Sequence, residues 1–244
     1  SMALLFSYRA TDEVSIWAQI FGNNEDFRLD WAFVDYHFSN EFRVNAGQIK
    51  FPVGFYNEIR DVKYLQLSTI EPYIYHESVE LLSESFRGVQ AIYNFDSSAG
   101  NITLEAYGGQ IVVFEEDATE EFKNSWGGRI TYKTPVEGLN FMGSAFTSKI
   151  IEEEVEESGE TVENEGHKTL WMASVEYVNN NLDLKAEYAH NKVFNNKAYS
   201  WYVQAGYTFF DKLTPFARYD YITTDKKQKS DPSFYQKDFS FGAG

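Results

Sequence analysis

Phe42-Arg43-Val44-Asn45-Ala46-Gly47-Gln48-Ile49-Lys50-Phe51 and Phe86-Arg87-Gly88-Val89-Gln90-Ala91-Ile92-Tyr93-Asn94-Phe95 read as two strands, separated by more than thirty residues of non-repeating sequence. Pro52 stops the first, because proline cannot donate to a sheet ladder. So long an irregular connection inside a compact domain is uncommon and is usually functional. It mixes aromatic and charged residues closely, in Gly54-Phe55-Tyr56-Asn57-Glu58-Ile59-Arg60-Asp61 and Glu71-Pro72-Tyr73-Ile74-Tyr75.

Outward from this unit, period-two patterns predict about thirteen strands, near residues 3–9, 13–22, 27–38, 42–51, 86–95, 101–110, 126–134, 139–150, 169–178, 182–193, 199–210, 214–223 and 238–244. Strands of soluble proteins average about 5–6 residues, whereas a tilted membrane-crossing strand needs about 9–11. Most segments here match the longer class. The alternation is cleanest late in the chain. Leu182, Leu184, Ala186 and Tyr188 oppose Asp183, Lys185 and Glu187, and Trp171, Ala173, Val175 and Tyr177 oppose Met172, Ser174 and Glu176. Ala217, Tyr219 and Tyr221 likewise oppose Arg218 and Asp220. Aromatics such as Tyr93, Phe95, Tyr132, Tyr177, Tyr188, Tyr207, Phe209 and Tyr221 close the apolar faces, as an interfacial girdle does. Between Phe27 and Tyr36 the parity changes midway, which predicts a bulge or a plugged interior.

The connections alternate too. Short turns at 11–12, 39–41, 96–100, 135–138, 179–181 and 211–212 come between longer or more charged ones at 23–26, 53–85, 113–125, 152–168, 194–197 and 224–237. An outer-membrane barrel sorts its periplasmic turns and extracellular loops in this way. The fold expected is therefore all-β, an antiparallel transmembrane β-barrel or most of one, in a single domain over 1–244. Residues 52–85 form its long loop and candidate constriction, and 152–168 an acidic extracellular loop. Natural barrels of this kind close with an even strand number. The register leaves 3–9 starting outside and 238–244 stopping partway across, which predicts a fragment of a parent with about 14–18 strands.

Ala46-Gly47, Lys50, Pro52, Gly54, Tyr56-Asn57-Glu58 and Arg60-Asp61, followed by a Pro-aromatic segment and a new strand, form the pattern A-G-x-x-K-x-P-x-G-x-Y-N-E-x-R-D. This resembles the porins of the Gram-negative outer membrane, in particular the phosphate-selective-porin-like group. The resemblance is specific over residues 42–95 and one of general pattern elsewhere. It implies an outer-membrane channel for passive diffusion of small hydrophilic solutes or ions, lying among outer-membrane lipid and lipopolysaccharide, and assembled as a homotrimer.

Composition agrees with an all-β chain and excludes several function classes. Aromatics reach 18%, a bias that strands favour. There is no cysteine, so neither a disulfide framework nor a thiolate metal site is available. With 37 acids against 21 bases the formal charge is −16, which repels nucleic acid at long range. Mean hydropathy is negative and no apolar run approaches the roughly 20 residues of a membrane helix. A barrel strand is only half apolar, so a polar average is compatible with a membrane. No segment has signal-peptide character, so the sequence reads as mature protein.

For a pore, chemistry means a constriction lined by charge. The candidates are Glu58, Arg60, Asp61 and Lys63 on the long loop, flanked by Arg43, Lys50 and Arg87 on the walls. The alternative is that these charges solvate an external loop, and anion against cation preference stays open. The carboxylates from Glu152 to Glu165 suit hard divalent cations that bridge to lipopolysaccharide phosphates. They lack the spacing of a calcium loop, so a solvated like-charge block is the stronger reading. His37, His76, His167 and His190 have no ligand-like spacing, and no nucleophile elbow or phosphate loop occurs. No cofactor, metal or catalytic residue is therefore expected, and the chain reads as no enzyme. One alternative is a soluble secreted β-sandwich that binds glycans through exposed aromatics such as Tyr56, Tyr73 and Tyr75. Another is an outer-membrane enzyme with a Ser-His or paired-carboxylate cluster at one rim.

Overall fold

In the computed structural model thirteen antiparallel strands form one sheet in sequence order, each hydrogen-bonded to the next. The structure describes residues 2–22, 27–60, 66–68, 70–75, 84–111, 120–155, 161–194, 196–210, 212–223 and 235–243. The strands are β1 (Met2–Arg9), β2 (Val14–Gly22), β3 (Phe27–His37), β4 (Phe42–Lys50), β5 (Ser85–Ser97), β6 (Gly100–Ile111), β7 (Glu120–Lys133), β8 (Leu139–Val155), β9 (Thr161–Asn179), β10 (Leu182–Val193), β11 (Asn196–Tyr207), β12 (Pro215–Thr223) and β13 (Tyr235–Ala243). Among the described residues β1 and β13 are not paired with each other.

Cross-strand partners share a face, so the alternation in each strand adds up to two chemically distinct surfaces. Leu184 pairs with Tyr177 on one side and Ala205 on the other, while on the opposite, inward face Glu187 pairs with Ser174 and Tyr202. On the outer face Leu104, Ile130, Phe141, Trp171, Leu184, Val203 and Phe239 are all exposed, forming an apolar belt across the sheet. Aromatic rows border it. Tyr36, Phe38 and Phe42 pack at the short-turn end with centroids 4.5 and 5.4 Å apart. Towards the other end Trp171, Tyr188, Tyr199 and Tyr221 form successive contacts at 5.1, 6.4 and 5.7 Å.

The short turns carry their own hydrogen bonds. Thr11 Oγ1 accepts from the Val14 amide at 3.1 Å, and Ser39 Oγ does the same for Phe42 at 3.1 Å. At Gly138, φ is +80° and a Cβ would overlap the Val178 carbonyl, so this turn needs glycine.

One expectation is made specific and two change. The parity shift in β3 is a bulge: Gln19 faces Trp31, Ile20 faces Leu29, and Asp30 is the extra residue, buried and bonded to Gln19 at 2.7 Å. The loop expected over 152–168 is mostly paired strand, because β8 runs 17 residues and β9 runs 19, with Val155 opposite Thr161. The connection expected over 194–197 is a tight turn in which Phe194 has φ +50°. In both hairpins the ladder extends beyond the point where apolar alternation stops.

Candidate functional site

The segment after β4 folds onto the inner face of the sheet. Phe51, Val53, Tyr56, Ile74 and Tyr75 are buried in one cluster with Phe86, Tyr107, Phe146, Leu170, Met172, Ala189 and Tyr202 of the wall. Phe51 sits edge-on to Phe86, Tyr107 and Phe146 at 5.7, 5.2 and 4.9 Å. Fully burying such a side chain contributes about 1.5–3 kcal/mol relative to leaving it in water. Five loop side chains make docking strongly favourable. Gly54 permits the closest approach. Its φ is +57°, and a Cβ there would overlap the Tyr75 hydroxyl and crowd Glu187 Oε1 at 2.7 Å.

Polar latches fix the docked loop at three places. At the first, Glu187 of β10 is buried and accepts four hydrogen bonds. These come from the Phe55 amide at 2.9 Å and, at 2.7 Å each, from the Tyr75, Tyr202 and Ser174 hydroxyls. That matches the lone-pair capacity of a carboxylate, so Glu187 acts as an anchor. At the second, Arg218 Nε donates to Asp220 at 2.6 Å, and its other nitrogens donate to the carbonyls of Ile70 at 2.9 Å and Glu71 at 3.2 Å. Asp220 in turn accepts from the Tyr73 amide at 3.2 Å. At the third, Arg129 of β7 donates to Glu58 on the loop at 2.6 Å and to Glu105 of β6 at 2.9 Å. An inward ladder continues from Glu105 through Gln90 at 3.0 Å to Asn45 at 3.1 Å. The loop thus spans from β4 and β5 to β7, β10 and β12.

Burial also shows in the loop tyrosines. Burial pushes the Tyr56 phenol up to about 12, with Arg218 pulling the other way. Tyr75 is raised well above its ordinary value by burial and then by the Glu187 carboxylate beside it.

The predicted constriction residues separate into groups. Glu58 meets Arg129, and Arg43 faces inward, 3.2 Å from Asp35. Lys50 is buried between Asp30 at 3.3 Å and Glu84. Arg60 is tied into the loop itself, donating to the Tyr75 carbonyl at 2.8 Å and to Glu71 at 3.2 Å. Arg87 is a correction: it alternates with inward Phe86 and Gly88, is exposed on the outer face, and donates to Gln48 at 3.0 Å. Asp61 and Lys63 lie outside the described residues, as does His76. The structure adds wall residues that motif reading missed, chiefly Glu105, Arg129 and Tyr202. Their signal is phase, since each lies on the face opposite the apolar belt. Tyr56 and Tyr75, expected as exposed glycan contacts, are instead almost fully buried. Among the described residues no group of His, Asp or Glu could hold a metal.

No family model and no curated protein sequence matches the chain. Solved structures do. OmpT of Vibrio cholerae, an outer membrane protein folded in vitro, superposes with a TM-score of 0.56 at 12% identity, over 99% of this chain and 70% of that one. Its trimer form gives 0.59 at 12% identity, over 99% and 72%. The fold is that of an outer-membrane β-barrel. The outer membrane channel DcaP of Acinetobacter baumannii gives 0.53 at 12% identity, over 91% of this chain and 66% of that chain.

Proposed function

We propose that the chain forms the wall and internal loop of an outer-membrane channel through which small hydrophilic solutes or ions diffuse passively. The observation that carries this reading is the loop docked inside a sheet whose outer face is an apolar belt. An apolar exterior suits lipid, and an inward loop narrows a water-filled passage. The charges offered to a solute are Glu58 with Arg129, Arg43 with Asp35, and Lys50, together with Asp61 and Lys63. The end carrying the loop between β4 and β5 faces outward, and the acidic β8–β9 hairpin projects there. The trimer form of the Vibrio cholerae neighbour supports a homotrimer. The finer likeness to phosphate-selective porins rests on the motif over residues 46–61, and the formal charge of −16 opposes the anion preference it implies, so the sign of selectivity is what the measurement below decides.

Single-channel conductance of detergent-purified protein, with reversal potential under a salt gradient, tests this. Stable steps support the channel, and the sign of the potential says whether the basic or the acidic groups dominate. Protein that stays monodisperse without detergent and gives no steps overturns the reading in favour of a soluble binding module.

A further inference from the structure

Resting on the channel reading above for its functional consequence, we infer that the part of the inner loop over β11 and β12, residues 66–68 and 70–73, is a releasable arm between two fixed ends, whose seating on Arg218 holds the passage narrow. Burial separates the two kinds of segment. Tyr56 at one end and Ile74 and Tyr75 at the other are each 1% exposed within the apolar cluster, and Glu187 holds the Phe55 amide and the Tyr75 hydroxyl. Between them Ile70 is 60% exposed, so its side chain gives the arm little apolar hold on the wall. The wall grips this part through hydrogen bonds. Arg218 donates to the carbonyls of Ile70 at 2.9 Å and Glu71 at 3.2 Å, and Asp220 accepts from the Tyr73 amide at 3.2 Å. Water can take over each of these partners, so such bonds add only modestly to the stability of the seated arm.

The wall beneath the arm is poorly suited to permanent cover. Lys185, Gln204 and Arg218 are direct partners in one inward row across β10, β11 and β12. Leu67 touches Gly206, and the loop carbonyls cap Arg218, so Gln204 is flanked on both sides by positions that the arm covers. Gln204 is 1% exposed, and neither end of its amide has a hydrogen-bond partner among the described residues. Asp183, the direct partner of Gly206, has its Oδ1 buried and likewise unpartnered. Keeping such groups dry and unmet is costly. The seated state therefore carries a penalty that disappears when the arm lifts and water reaches them. The arm is also braced within the loop, which lets it move as a unit. Gln66 donates to the carbonyls of Ile59 at 2.8 Å and Arg60 at 3.0 Å, and Arg60 donates to Glu71 at 3.2 Å. Lifting frees the two terminal nitrogens of Arg218 and presents Lys185, Gln204 and Arg218 to the lumen.

Hydrogen exchange of the detergent-purified protein, read by mass spectrometry, tests this. Peptides covering 70–73 are expected to exchange roughly tenfold or more faster than those covering 51–56. Gln204→Met removes the unmet amide at similar volume, so it should slow exchange of the arm roughly tenfold and raise Tm. An amide with a merely structural role would give the opposite, a lower Tm. Equal protection of arm and ends in the unmodified protein overturns the inference, and so does arm exchange that a folded Gln204→Met leaves unchanged or hastens. If that variant does not fold, a cross-link decides. The chain has no cysteine, so Leu67→Cys with Gly206→Cys introduces a single disulfide, which should protect 70–73 and lower the mean channel current until it is reduced. A current unchanged by reduction overturns the claim that the arm narrows the passage. Channel steps with equal protection defeat this inference alone. Fast arm exchange without channel steps defeats the channel reading alone, because exchange is measured without a current.

Discussion

Glu187 is the residue on which the inner loop depends most, because two of its four donors come from the loop and two from the wall. Glu187→Ala leaves a buried amide and three buried hydroxyls without an acceptor, at a cost of about 3 kcal/mol or more. A lower Tm and a larger, noisier conductance are expected, and an unchanged conductance would show that the loop is held by its apolar contacts alone. Tyr56 gives a pH test. Its neutral form is favoured in the docked state, so its contribution is complete below pH 10 and is lost as pH rises through about 12. Ultraviolet titration should show several late-ionising phenols, with one fewer in Tyr56→Phe. A full complement ionising near pH 10 would mean that Tyr56 is not buried.

Among the elements, the loop after β4 is the one whose conformation was least visible beforehand. Its partners Glu187, Asp220 and Arg218 lie more than a hundred residues away, and no local periodicity encodes such a meeting. Gly54→Ala tests the docking directly: the added methyl collides with Tyr75 and carries the wrong backbone preference. Detachment predicts raised conductance and faster proteolysis near Phe55, with the strand content by circular dichroism unchanged. The strands were legible because Leu182 to Tyr188 and Ala217 to Tyr221 alternate without a break. The β8–β9 hairpin was misjudged for a physical reason. Glutamate disfavours strands, yet pairing from Leu139 with Tyr177 to Val155 with Thr161 carries the ladder through the acidic run. The bulge at Asp30 was legible as a change of parity, although parity alone could not show which residue was extra.

For the molecule as a whole, the two faces of the sheet predict behaviour that no single residue does. The belt of exposed Ile130, Phe141, Trp171, Val203 and Phe239 should make the protein precipitate when detergent is diluted below its critical concentration. Light scattering during dilution checks this, and a clear monodisperse solution would contradict it. Replacing residues 54–75 by a short Gly-Ser link should widen the passage of the proposed channel. It should also lower thermal stability, because Tyr202 loses its ring contact with Tyr56 and the buried Glu187 loses its Phe55 and Tyr75 donors. The latches join positions 71 to 148 apart in sequence. Contacts that distant form only after the intervening chain has been organised. The segment between β4 and β5 must therefore wait, undocked, until β10 and β12 have joined the sheet, so the last event of assembly is the filling of an interior that was open to water until then.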